Sequence, residues 1–159
     1  MRDGACTTLS TVMSISVHNR QRTVPIRTAW VKQRAQHIME YLGCSERELS
    51  VVFGSDRLLH TLNWSYREKD RPTNVLAFPQ APTYVGEPVT ALLGDVIISL
   101  PTAAREAQEL QQVLEERVVY LLLHGLLHLL GYDHEGSVGA RRRMETLERQ
   151  VLTYLQGVA

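Results

Sequence analysis

The composition of the chain is typical of a globular protein without a strong overall charge. The chain has 159 residues, of which 44% are hydrophobic and 21% are charged, and 17 Lys and Arg residues balance 17 Asp and Glu residues. This length is enough for one domain with a real core and too short for two. Because the formal net charge is zero, any contact with a nucleic acid must come from a local basic patch.

The N-terminal segment, the cysteines and the most apolar stretch bear on cellular location. We expect residues 1–11, which are polar and rich in Thr, to form a flexible leader before a single domain at 12–157. The segment lacks the apolar run of a signal peptide, and Cys6 and Cys44 lack metal or redox spacing, so we expect a cytoplasmic protein. A helix over 118–130 would be about 20 Å long, shorter than the roughly 30 Å membrane core. We therefore expect no membrane partner.

Apolar periodicity in the first half of the chain predicts two strands that alternate with two helices. The segments, in the order strand, helix, strand, helix, are 12–17, 27–42, 49–53 and 56–66. Gly43 is expected to end the first helix, and Ser55 is expected to cap the second. Residues 67–74 are charged and contain Pro72, so they are predicted to form a loop.

The second half predicts two more strands and then three helices. The strands are 75–78 and 91–99, joined by a connection at 80–90, and the helices begin at Pro101, at 115 and at 141. A single helix from 101 to 130 would be long for a small domain, so we expect an interruption near 111–114. Four strands placed early and about five helices, most of them late, make the predicted fold class α+β in a single domain.

The run from 124 to 134, His-Gly-Leu-Leu-His-Leu-Leu-Gly-Tyr-Asp-His, carries the strongest chemical information. His124 and His128 are four residues apart, so they project from the same face of a helix. Gly131 is suited to end that helix, after which the chain can bring His134 towards the first two rings. Three neutral imidazoles suit zinc with an open fourth position, whereas the alternative is ordinary core histidines. The spacing favours the metal.

The residue after His124 argues against the most familiar zinc hydrolases. In metalloproteases with the H-E-x-x-H motif, a glutamate at this position is the general base. Here the position is Gly125, so a peptidase or another zinc hydrolase is a weaker alternative. Asp133 and Glu135 flank the third histidine, where carboxylates either solvate the turn or orient an imidazole.

Three segments together resemble one known family. They are Leu-Asn-Trp-Ser-Tyr-Arg-Glu-Lys-Asp-Arg-Pro-Thr-Asn-Val-Leu-Ala-Phe-Pro at 62–79, Leu-Gly-Asp-Val-Ile-Ile-Ser at 93–99, and the histidine run. In this order they are similar to the YbeY family of bacterial endoribonucleases, over about residues 12–155. The sequence departs from the family pattern at Ala77, where serine is usual, and in 107–116, which lacks a glycine that often separates two helices.

The resemblance implies a fold, a cofactor and a substrate. The fold would be α+β with a small mixed sheet. One zinc ion would be held by His124, His128 and His134, and Arg67 would be a functional arginine; we take Arg67 and His124 as the catalytic residues. The family's activity implies cleavage of single-stranded RNA, maturation of the small-subunit rRNA 3′ end and ribosome quality control, with the small ribosomal subunit or its proteins as partners.

The residues of the 67–74 loop have a chemical role consistent with this resemblance. A guanidinium matches the charge that develops on phosphate oxygens in a bidentate way, which makes Arg67 the candidate. Lys69 and Arg71 are candidates for binding the flanking phosphates. The alternative is a solvated turn whose charges neutralise one another, because the acidic residues Glu68 and Asp70 alternate with the basic residues.

Two questions stay open in the sequence. Water activated by the metal and the RNA 2′-OH are both possible nucleophiles, since no general base is evident. A ribosome-associated RNA-binding factor with a structural metal is the alternative to an enzyme, although a structural site usually has four protein ligands. Trp30 and Trp64 lie on helical patterns and are predicted to be core residues. The Arg141–Arg143 run is predicted to be solvated, with contact to RNA as the alternative.

Overall fold

A mixed four-stranded sheet forms the centre of the structure, a computed structural model that describes residues 14–80, 92–133 and 135–158. The strands are β1 (Ile15–Asn19), β2 (Glu48–Gly54), β3 (Val75–Pro79) and β4 (Leu92–Ser99). Their order in the sheet is β1-β2-β4-β3. β1, β2 and β4 run parallel, and β3 pairs antiparallel with β4. The predicted α+β class with a small mixed sheet is confirmed.

Five helices surround this sheet within the described ranges. They are α1 (Thr28–Tyr41), α2 (Asp56–Arg67), α3 (Leu100–Glu109), α4 (Leu114–Leu129) and α5 (Val138–Gln156). The predicted caps are present: Gly43 follows α1 with φ +73°, and the Ser55 hydroxyl accepts a hydrogen bond from Leu58 N at 3.2 Å. None of these helices is long and apolar enough to cross a membrane.

The predicted interruption near 111–114, which separates α3 from α4, is confirmed. α3 ends at Glu109 and α4 begins at Leu114, with Gln111 between them in the left-handed region at φ +55°. The predicted leader at 1–11, the start of the first strand at 12–13 and most of the connection at 80–90 lie outside the described residues.

Three expectations are corrected. β1 continues to Asn19, beyond the predicted 17, because its ladder with β2 includes polar residues that carry no hydrophobic signal. α5 begins at Val138, three residues early, where the Ser137 hydroxyl accepts from Ala140 N. Trp64 is 57% exposed. α2 turns its Leu59 and Asn63 inward, so the next residue faces away by about 100°.

α4 lies unusually close to the sheet at Gly125. A Cβ atom on this residue would lie 2.7 Å from Cγ1 of Val96 in β4, nearer than side chains tolerate. Val96 is fully buried and β-branched, so it has little freedom to move aside. The helix can therefore rest on β4 at this point only because residue 125 has no side chain.

We expect Gly125→Ala to destabilise the protein by about 1–3 kcal/mol, the usual cost of overpacking. In an isolated helix the same change would stabilise the helix by about 1 kcal/mol. The sign of the change in unfolding free energy therefore separates close packing from helix propensity. Urea unfolding measures it. Combined with Val96→Ala, the cost of Gly125→Ala should fall below its cost in the wild-type background. A more stable Gly125→Ala protein would contradict the close packing.

Asp56 in the first turn of α2 connects that helix to the start of α3. Its carboxylate accepts hydrogen bonds from the hydroxyls of Ser99 (2.5 Å) and Thr102 and from the Arg105 guanidinium (2.8 Å). Burial opposes ionisation of this carboxyl, but the three donors outweigh burial and lower the pKa of Asp56 below its ordinary value. The two helix starts are thus joined through one negative charge.

We expect Asp56→Asn to lower stability at pH 7 by about 1 kcal/mol, or roughly 2–4 °C in Tm. A carboxyl whose pKa is lowered by folding stabilises above its unfolded pKa, about 3.9, and this contribution is lost as pH falls through the folded pKa. The difference in Tm between wild type and variant should therefore shrink below about pH 4. Glu109→Gln, at an exposed carboxylate that joins no ion pair among the described residues, is the control. A pH-independent difference for Asp56→Asn would contradict this role.

Candidate active site

A cleft of about 510 Å³ lies between the end of α2, the loop that follows it and the second half of α4. Five predicted site residues line it: His124, His128, Arg67, Lys69 and Arg71. They come from two parts of the chain that are more than fifty residues apart in sequence. Residues 131–133 and 135, which follow α4, also line the cleft.

The two histidines of α4 form a close pair at this cleft. Their Nε2 atoms lie 3.1 Å apart, and the rings meet edge to face with centroids 4.6 Å apart. Both side chains are half-buried, and the residues around them in α4 are buried in the core. The i, i+4 spacing therefore does what the sequence predicted: it turns two imidazole nitrogens towards one point.

Glu148 in α5 holds the ring of His124 from behind. Its carboxylate Oε1 lies 2.9 Å from His124 Nδ1, and the residue is only 8% exposed. A buried carboxylate needs such a partner. In a neutral imidazole, a hydrogen bond from Nδ1–H to this carboxylate leaves the lone pair on Nε2, the nitrogen that lies beside His128. Tyr120 stacks on the same ring at 6.0 Å, which further limits its rotation.

Glu148 was missed in the sequence, although a signal for it exists. It lies between Met144 and Val151 on the buried face of α5, so a carboxylate interrupts an otherwise apolar stripe. Such a residue requires a buried partner, and the histidine run supplies one. Asp133 is instead exposed, and its carboxylate accepts from the backbone of Glu135 at 2.8 Å, which is the turn-solvating role.

The histidine pair fits a zinc ion in its donor chemistry and spacing. With Zn–N distances of about 2.0–2.1 Å, two nitrogens of a tetrahedral site lie roughly 3.3 Å apart, close to the observed 3.1 Å. The third expected ligand, His134, lies outside the described residues. Within the described ranges, no group of three or more His, Cys, Asp or Glu side chains could hold a metal. The three-histidine site therefore stays a prediction.

The end of α2 and a buried asparagine position the cationic loop. Glu68 takes the left-handed conformation at φ +55° and ends α2 directly after Arg67. Asn63 is 2% exposed; its side-chain Nδ2 donates to the backbone oxygen of Arg71 at 2.9 Å, and its backbone oxygen accepts from Lys69 N at 3.3 Å. The side-chain amide and the backbone carbonyl of this one residue thus fix both ends of the segment from Lys69 to Arg71.

The loop does not neutralise itself in the way the alternative reading required. Among the ion pairs of the described residues, none joins Arg67, Lys69 or Arg71 to an acidic side chain. Asp70 instead contacts His60 in α2 at 2.6 Å. The three cations are therefore available to a ligand in the cleft, which is the condition that phosphate binding requires.

The fold and the cleft define an α+β protein that brings a histidine pair and a cationic loop together. Comparison with known proteins agrees with this class. The family model described as endoribonuclease YbeY matches residues 16–156. An endoribonuclease YbeY from Geobacter metallireducens is 46% identical over 145 residues, which are 91% of this chain and 97% of that protein. The endoribonuclease YbeY of Aquifex aeolicus is 42% identical over 130 residues, 82% and 85% of the two chains.

The chain therefore belongs to the endoribonuclease YbeY family. A solution structure from Thermotoga maritima has the same fold, with a TM-score of 0.56 over 90% of this chain and 92% of that one, at 21% sequence identity. The family predicted from the three sequence segments is confirmed.

Proposed function

We propose that the protein is a zinc-dependent endoribonuclease that cleaves single-stranded RNA in rRNA processing, including maturation of the small-subunit 3′ end. Membership of the family supports the endoribonuclease activity. The observation that supports the chemistry most directly is that His124, His128 and Arg67 line one cleft. We also propose a role in ribosome quality control, with the small subunit or its proteins as partners.

We propose that His124, His128 and His134 hold the zinc ion, which when bound supplies Lewis acidity towards a phosphoryl oxygen or a water molecule. Glu148 contributes by accepting a hydrogen bond from His124 Nδ1–H, so that the lone pair of Nε2 can bind the metal. Three protein ligands would leave one coordination position open, whereas a structural ion is normally enclosed by four protein ligands. This favours an enzyme over an RNA-binding factor with a structural metal.

The cationic loop binds the substrate in this proposal. Arg67 donates two parallel hydrogen bonds to non-bridging phosphate oxygens as their negative charge grows in the transition state. Lys69 and Arg71 bind the neighbouring phosphates, which positions the strand without reading its sequence. Asn63 keeps these cations at the cleft through its contacts with the loop backbone.

The packing of α4 argues against a peptidase. The position that carries the general base in H-E-x-x-H enzymes is Gly125 here, and its missing Cβ would point at Val96 in the sheet. No carboxylate can be placed there without moving the helix. A peptide-cleaving mechanism of that type therefore has no base at this site.

Cleavage of a labelled single-stranded RNA by the purified protein, with bound zinc measured in the same sample, tests the proposal. We expect about one zinc per chain and a preference for single strands over duplex. Arg67→Ala should lower kcat/KM by about 10²–10³-fold, and Arg67→Lys should not restore it, because lysine lacks the guanidinium fork. Arg57→Ala, at an exposed arginine of the same helix, is the matched control.

Three results would contradict this proposal. A wild-type protein without stoichiometric metal would remove the zinc. An Arg67→Ala protein as active as wild type would remove the role of Arg67. Equal cleavage by His128→Ala would show that the activity comes from a contaminating nuclease. The product ends also decide between the two nucleophiles, since attack by the 2′-OH leaves a cyclic phosphate and attack by water does not.

We expect Glu148→Ala to weaken zinc binding by about 10–100-fold, the usual effect of removing a carboxylate that orients a ligand histidine. Glu148→Gln, which retains a hydrogen-bond acceptor, should lose less. Competition with a chromogenic chelator measures the affinity, and circular dichroism checks the fold. Glu145→Ala on the same helix, whose carboxylate is 52% exposed, is the control. Unchanged affinity in Glu148→Ala would exclude the orienting role.

A further inference from the structure

A second groove opens beside the cleft, and one aromatic residue borders both. This groove, of about 370 Å³, is lined by Tyr132, Arg142, Arg143, Thr146, Leu147 and Gln150. Tyr132 also lines the cleft that holds the histidine pair. The cleft and the groove on α5 therefore meet at the side chain of Tyr132.

The backbone after α4 holds Tyr132 in place. Gly131 has φ +95°, a conformation that favours glycine, and Tyr132 N donates to the oxygen of Leu127 at 3.0 Å. These contacts end the helix and set where the next residue emerges. Tyr132 is 37% exposed, so part of its ring faces solvent at the junction of the two depressions.

The arginines of the groove differ from their neighbour. Arg141 pairs with Glu145 at 3.1 Å, whereas no ion pair involves Arg142 or Arg143 in the part of the chain that the structure describes. Both are exposed. Within the run that was predicted to be solvated, two positive charges are thus available beside an aromatic ring.

An aromatic surface between sites for phosphates is the usual construction of a single-strand path. Bases stack on the ring whatever their identity, and arginines follow the backbone. Three further cations, Arg67, Lys69 and Arg71, line the cleft that Tyr132 also borders. Both depressions that Tyr132 borders therefore carry cations, which suits a long polyanion better than a small anion bound at one point.

We propose that RNA runs from the cleft over Tyr132 onto α5, with a base stacked on Tyr132 and the following phosphates bound by Arg142 and Arg143. This path rests on the proposed function, since it extends the substrate site of the same enzyme. It implies that α5 makes the affinity for RNA depend on the length of the strand.

Binding of fluorescent 2′-O-methyl oligouridylates of about 4 and about 12 nucleotides, which span common single-strand site sizes, tests this path. Anisotropy gives the Kd of the full-length protein over a range of salt, and a gel checks that the oligonucleotides stay intact. For the longer strand, Arg142→Ala with Arg143→Ala should reduce the salt dependence of log K by about 1.4, at about 0.7 per phosphate contact. The Kd of this double variant for the longer strand should rise about tenfold or more at low salt.

The aromatic contact has its own variants. Tyr132→Leu should raise the Kd of the longer strand by between about 5-fold and 150-fold, the measured range for one stacked base. Tyr132→Phe should stay close to wild type because the ring is retained. Equal Kd values for Tyr132→Leu and Tyr132→Phe, with both proteins folded, would overturn the stacking role.

A second double variant removes the same charge elsewhere. Arg57→Ala with Arg149→Ala changes two exposed arginines outside both depressions. An equal effect of the two double variants on the longer strand would overturn the path in favour of general electrostatics. The path would also be overturned if the Arg142→Ala with Arg143→Ala variant lost affinity for a glutamate-rich peptide but kept its affinity for RNA. That result would indicate an acidic protein partner. Absence of RNA cleavage by wild type, by contrast, would overturn the proposed function, because binding is measured independently.

Discussion

The close contact between α4 and β4 at Gly125 is the constraint on which the site depends. Since residue 125 has no side chain, the helix rests directly on Val96, and its buried face joins the core of the sheet. This contact fixes the rotation of α4 about its own axis. With that rotation set, His124 and His128 emerge at the rim of the core, half-buried and facing the cleft.

Two buried polar side chains then turn this packing into a chemical site. Glu148 reaches from α5 to orient His124, and Asn63 in α2 holds the backbone of the cationic loop. Both are almost fully buried, and each directs its polar atoms to a neighbouring segment of the site. A polar group in such a place is costly unless satisfied, so its partner is held firmly. The histidine pair and the cationic loop of the cleft are in this way each held by a buried polar partner.

The order of elements followed from the sequence because it depends on local pattern. Apolar periodicity, Ser55, Gly43 and the break near Gln111 act within a few residues, and the structure confirms each. The fate of Trp64 and of the charged loop depended on more than local pattern. An aromatic residue on a helix is buried only if the packing of the helix turns that residue towards the core. Asp70 could pair either with the cations of its own loop or with His60 in the preceding helix, and it contacts His60. The spacing of residues along the chain determines neither the orientation of Trp64 nor the partner of Asp70.

The sequence by itself determined the family and the candidate residues for the chemistry, because the histidine spacing and the segment from Arg67 to Arg71 are local in the chain. Only the tertiary structure decided that these segments share a cleft, that Glu148 is the partner of His124, and that Arg142 and Arg143 lie next to Tyr132. The reason is physical. Such contacts join residues far apart in sequence, and the packing angles of helices against a sheet, which periodicity does not encode, decide which of them meet.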